Sequence, residues 1–130
     1  DADWHRTLRD LRALMAPGKV LAFESRNPAF REWESWSGAP TTRDTRHGRL
    51  TEWMDVELAD PRIVTFTAHN HFTETGETVS ETQTLVFRDR AEIEADLQDA
   101  GFAVEHVHGE WTRRPFALDD RLMIFVARAH

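Results

Sequence analysis

The run Val20-Leu21-Ala22-Phe23 follows directly on Pro17-Gly18, and it narrows the choice of fold more than any other feature. Four apolar residues in a row, without polar alternation, are the pattern of a short strand covered on both faces. Pro-Gly stops whatever element precedes it. Here that element reads as a helix over residues 3–15. Asp3 is placed to cap it, and Trp4, Leu8, Leu11, Leu14 and Met15 recur at helical spacing. Helix, tight turn and buried strand (19–25) make half of an α/β unit. The strand then breaks abruptly into Glu24-Ser25-Arg26-Asn27-Pro28, which gathers charge and hydrogen-bonding groups at its carboxyl end.

The far end of the chain repeats the apolar signal in "RLMIFVARA", a second buried strand over 121–128. Before it, "RDRAEIEADLQDAGF" reads as a capped helix. Asp89 and Glu92 stand three apart, Ile93, Leu97 and Ala100 form the stripe, and Gly101 is the left-handed stop. "FAVEHV" follows as a strand over 103–108. The middle of the chain has a different period. Leu50, Met54, Val56 and Leu58 alternate with polar residues, as do Val64, Phe66 and Ala68, and then Val79, Gln83, Leu85 and Phe87. Thr75-Gly76 supplies a hairpin turn, so residues 49–88 read as an antiparallel meander. Asn27-Pro28 suits the start of a short helix lined by Phe30, Trp33 and Trp36. The polar stretch 37–48 is expected to be a flexible loop.

Composition removes several classes. The chain of 130 residues has no cysteine, which excludes disulfides, thiolate metal sites and cysteine nucleophiles. A reducing cytoplasm is the expected setting. A net charge of -7, with Lys19 the only lysine, does not suit a nucleic-acid binder, which needs clustered cations. No apolar run reaches the ~20 residues that cross a bilayer, so no membrane partner is expected. The chain opens Asp-Ala-Asp without an initiator Met, and we expect a piece of something longer.

Three stretches together resemble the carboxyl-terminal half of a class I S-adenosylmethionine-dependent methyltransferase. "LRDLRALMAPGKVLAFESRNP" resembles the helix, Pro-Gly turn and fifth strand, with Lys19 in place of the family's second glycine. "EIEADLQDAGFAVEHVHGEW" resembles the helix and sixth strand, and "RLMIFVARA" the final reversed strand. In many such enzymes an antiparallel insertion covers the substrate, and residues 49–88 fit that place. The resemblance implies one partial α/β domain over 1–130, half of a Rossmann-like sheet. It also implies S-adenosylmethionine as cofactor and a small molecule as methyl acceptor. The glycines stand at 18, 38, 48, 76, 101 and 109. None forms the G-x-G turn after a first strand with which this family holds its cofactor. The parent chain is therefore expected to be the enzyme and this piece alone to be inactive. Its fifth-strand equivalent, 19–25, would lack a neighbour, and an unpaired apolar edge invites a second copy as a homodimer.

Ligands of open α/β sheets sit at the carboxyl ends of strands, which makes Glu24, Arg26 and Asn27 candidates for binding the acceptor. Arg26 could hold an anionic group through its planar fork, whereas pairing with a nearby acid is the plainer role. For Asn27 the plainer role is capping. His69 and His71 share a strand face and could serve as a base or contact the substrate, or be no more than polar residues of a wet hairpin. Trp111 with Arg113 and Arg114, in the loop before the last strand, completes the set. Methyl transfer asks chiefly for alignment of the acceptor and exclusion of water, so no catalytic residue is read from the sequence. The rival reading is a non-catalytic α+β module for ligand binding or dimerisation, centred on 49–88.

Overall fold

A computed structural model describes all residues, Asp1–His130. The chain divides into two compact units, one made of 1–30 with 88–130 and the other of 31–87. The antiparallel region expected over 49–88 belongs to the second, except for its last residue, Arg88.

In the first unit, α1 (Ala2–Leu14), β1 (Val20–Arg26), α2 (Arg90–Asp99), β6 (Phe102–His108) and β7 (Leu122–Ala129) build a helix-covered sheet. The strand order is β1-β7-β6, with β7 antiparallel to both neighbours. Leu8 of α1, Ile93 and Leu97 of α2, Phe102 of β6 and Met123, Phe125 and Ala127 of β7 form one buried cluster. Phe125 has no exposed surface and stacks on Phe23 at 5.4 Å. Apolar burial of this kind is the main source of stability, about 25 cal/mol per Å². The capping expected at the second helix is present: the Asp89 carboxylate accepts from Glu92 N–H at 2.8 Å. Gly101 ends the helix at φ +92°, which a side chain would resist.

Three expectations for this unit are corrected. α1 begins at Ala2 with Asp1 at its cap position, and Asp3 lies in the first turn, where it pairs with Arg6. An acid there still favours the helix dipole. Leu14 is 86% exposed rather than part of the stripe. At ~100° per residue it stands roughly a quarter-turn away from Trp4, Leu8 and Leu11. β1 is not covered on both faces either, because its burial alternates. Leu21 and Phe23 pack on the helix-covered core while Val20, Ala22, Glu24 and Arg26 face outward. The strand lies at the sheet's edge, bonded only to β7, and an edge strand loses the cover that a central one receives on each side.

Two single-turn 3₁₀ segments follow β1: Pro28–Phe30, the last residues of the first unit's opening stretch, and Glu32–Ser35, with which the second unit begins. They replace the single short helix expected there, and Arg31 between them adopts φ 52°. A four-stranded antiparallel sheet follows, ordered β2 (Thr41–Thr45), β3 (Gly48–Asp60), β4 (Ile63–Phe72), β5 (Glu77–Val86). Strand β2 overturns the loop expected over 37–48. Its Thr residues suit a pleated surface, and pairing with β3 is reinforced by Arg43–Glu52 at 2.7 Å and Thr42–Thr51 at 3.0 Å. The hairpin at Thr75-Gly76 forms as read, with Gly76 at φ +71°. Trp33, Val64 and Phe87 make a small core, Trp33 meeting Phe87 edge-on at 4.6 Å.

Candidate functional site

Strand β1 delivers Glu24, Arg26 and Asn27 to one end of the first unit's sheet, and the loop 109–120 meets them there. Trp111 Nε1 donates to Glu24 Oε2 at 2.7 Å, so two residues chosen from distant stretches of sequence are in direct contact. Trp111 nonetheless keeps 60% of its surface exposed, leaving an aromatic face available beside a carboxylate.

Asn27 is the only buried polar residue of the chain. Its Nδ2 donates to the carbonyls of Leu118 at 2.9 Å and Asp120 at 2.7 Å, and its Oδ1 accepts from Ala29 N–H at 3.1 Å. The capping role read from Asn27-Pro28 is therefore present, and the amide also fastens the 109–120 loop to the strand end. Arg113 adopts φ 70° at the turn of that loop, a conformation uncommon for side chains other than glycine. Arg26 is exposed at the same end of β1.

The loop holds its shape through a pair that the sequence reading did not single out. Arg114 grips Asp120 with two bonds, 2.5 Å and 3.1 Å, and reaches Glu110 at 3.1 Å. The hydrogen bond from Arg114, helped by Ala117 N–H, lowers the Asp120 pKa, while Asp120 and Glu110 raise that of Arg114. A Cβ on Gly109 would collide with the Asp120 carboxylate, so glycine permits this close approach. Below the loop, a cleft of about 380 Å³ is lined chiefly by Asn27, Pro28, Phe116, Leu118 and Met123. It is large enough for part of a small molecule.

The histidines lie in the second unit. His69 stacks on Trp53 at 4.8 Å. Its Nε2 lies 2.8 Å from Asp55 Oδ2 and its Nδ1 2.7 Å from Ser80 Oγ. His71 turns its Nδ1 to Thr78 at 2.9 Å. They share a face, as period two requires, but each ring is aimed at its own partner on β5 rather than at a common point. Asp55 and Ser80 went unnoticed because cross-strand register, not sequence spacing, brings them to His69. Trp36, Trp53, Glu52, His69 and Asn70 line part of a second cleft of about 410 Å³.

No protein family matches the sequence, and no curated protein does. Solved structures match it along almost its whole length. An S-adenosylmethionine-dependent methyltransferase from Clostridium acetobutylicum shares 9% identity at a TM-score of 0.79, with 98% of this chain and 51% of that one covered. The chain has the fold of one half of such a methyltransferase. The CcbJ methyltransferase of Streptomyces caelestis agrees, at 19% identity and TM-score 0.72, with 99% and 54% covered. So does the sugar N-methyltransferase KedS8 of Streptoalloteichus, at 19% identity and TM-score 0.68, with 99% and 49% covered. This chain thus spans about half the length of the methyltransferases it matches, consistent with the carboxyl-terminal half that its motifs resemble. No helix is long and apolar enough to cross a membrane.

Proposed function

We propose that these residues serve as the carboxyl-terminal part of a cytoplasmic S-adenosylmethionine-dependent methyltransferase acting on a small molecule. The observation that carries this is the end-to-end match of the chain to half of such enzymes, at TM-scores of 0.68 to 0.79. S-adenosylmethionine would supply an electrophilic methyl group, and the protein's task is to orient the acceptor and keep water out. The exposed face of Trp111, the Glu24 carboxylate and the Arg26 and Arg113 guanidiniums offer stacking and charge for that purpose. In the second unit, His69 beside Asp55 and His71 offer proton-accepting or polar contacts. An amine-bearing sugar is the acceptor class to test first, since one structural neighbour is named a sugar N-methyltransferase.

The cofactor does not fit within these 130 residues alone. Gly18, Gly48, Gly76 and Gly101 sit at positive φ in turns or at a helix end, and no glycine lies between a strand end and the first turn of a helix. The glycine-rich cradle therefore belongs to the rest of the parent chain. In the same proposal the open edge of β1 is a seam, closed in the isolated chain by a second copy.

Calorimetric titration with S-adenosylhomocysteine tests this. The parent chain is expected to bind at micromolar strength, about -8 kcal/mol, and the 130-residue chain to give no heat. Binding by the 130-residue chain would overturn the division of the cofactor site. Failure of the parent chain to bind would overturn the enzyme class.

A further inference from the structure

We propose that the cleft beside Asn27 is a binding site for an uncharged aromatic ring carrying one hydrogen-bond donor. Resting on the reading of this end of the sheet as the acceptor side, the site would take the apolar part of the acceptor. Strands β1 and β6 both run antiparallel to β7, so their carboxyl ends lie on one side, where open α/β sheets bind ligands. Three stretches wall the cleft there. Pro28 follows β1, Ala91 stands in the first turn of α2, and Phe116 and Leu118 come from the loop before β7, whose Met123 also lines it. Leu118 is 82% exposed although Asn27 ties its carbonyl at 2.9 Å. The loop thus holds an apolar side chain out in water beside an apolar cleft.

The polar groups decide the charge of the occupant. Asn27 spends both amide hydrogens on the Leu118 and Asp120 carbonyls and its oxygen on Ala29 N–H. Arg90 is answered by Glu94 at 2.7 Å and lies over the Phe116 ring at 5.9 Å. Asp89 gives one carboxylate oxygen to Glu92 N–H at 2.8 Å and keeps the other, one acceptor for one donor. An anion would meet that carboxylate, and a cation would add to the positive end of the α2 dipole. A neutral donor avoids both costs. Size and place, in turn, rule out a further element of chain. About 380 Å³ corresponds to a width of about 7 Å, less than the ~10–12 Å of a helix with its side chains. Only Met123 among the lining residues belongs to a strand, and β7 is bonded on both sides, so no strand can add there.

The test is titration of the 130-residue chain, its methionine methyls isotope-labelled, with 2-naphthol, naphthalene and 2-naphthoate at neutral pH. The Met123 resonance, assigned with Met123→Leu, is expected to move with 2-naphthol, while Met54 in the second unit stays in place. Naphthalene, lacking the donor, should bind about tenfold more weakly, and 2-naphthoate more weakly than 2-naphthol. Asp89→Ser removes the spare oxygen but keeps a capping residue, and should erase the preference for 2-naphthol over naphthalene. Ala91→Phe should fill the cleft and weaken 2-naphthol at least about tenfold. A still Met123 resonance, equal movement of Met54, equal affinity for 2-naphthoate, or indifference to either variant would each overturn the proposal. If Ala91→Phe fails to fold, the Asp89→Ser comparison decides. Binding of 2-naphthol here without S-adenosylhomocysteine binding by the parent chain would sink the enzyme class and leave the cleft a ligand site. The converse pair of results would sink the cleft alone.

Discussion

The two units reach stability by different routes. The first packs two helices on a three-stranded sheet, and side chains from α1, α2, β1, β6 and β7 share one apolar cluster that includes Phe125. The second has longer strands, up to the thirteen residues of β3, yet its buried cluster contains only Trp33, Val64 and Phe87. Its other face carries rows of cross-strand hydrogen bonds, Thr65–Thr84, Thr67–Thr82, His69–Ser80 and His71–Thr78. Exposed hydrogen bonds of this kind contribute little each, because water competes for both partners. The first unit is therefore held by burial, and the second by main-chain pairing with a thin apolar layer.

Truncating the two cores tests that contrast. Phe125→Ala removes a fully buried ring from the larger cluster and should lower the unfolding free energy by about 4 kcal/mol in urea titration. Trp33→Ala should cost less, about 3 kcal/mol, since its cluster is small and 6% of its surface is already exposed. Amide exchange would locate the loss in β3, β4 and β5. Faster exchange of α2 and β6 by the same factor would show one cooperative structure and break the contrast.

The strand-end site should respond more weakly. Asn27→Ala deletes the amide that two loop carbonyls use, costing about 2 kcal/mol, with the loss of protection expected around Leu118–Asp120. An unchanged loop would mean that Arg114 and Asp120 suffice to hold it.

The smallest expected effect is pH-dependent. Asp120 has a folded pKa below its ordinary value, chiefly because Arg114 bonds its carboxylate. A lowered folded pKa contributes stability that is fully present above the unfolded value, about 3.9, and is lost as pH falls through the folded one. Wild type should exceed Asp120→Asn in stability at neutral pH, and the gap should begin to close below about pH 4 and vanish only below the lowered folded pKa. A gap that persists into strong acid would assign the difference to packing instead of charge.

Much of this was legible in local sequence. The Pro17-Gly18 stop, the Asp89 cap, the Gly101 terminus, the 75–76 hairpin and the strands at 103–108 and 121–128 follow from residue-by-residue preferences for backbone conformation, and all are present. Glu24 and Trp111 were legible as separate candidates, but not as partners, because 87 residues separate them. Strand β2 was not legible, since its threonines and charges look like loop until β3 lies beside them. The half-exposure of β1 was hidden for a related reason: four apolar residues describe a buried strand equally well whether or not the sheet continues past it.

Local sequence therefore determined where elements start and stop, which depends on caps, turns and side-chain period within a few residues. Only the tertiary structure decided which strand is an edge, which acid meets Arg114, and which hydroxyl and carboxylate meet His69. Those outcomes depend on register between strands that the chain brings together from far apart, and no local preference carries that information.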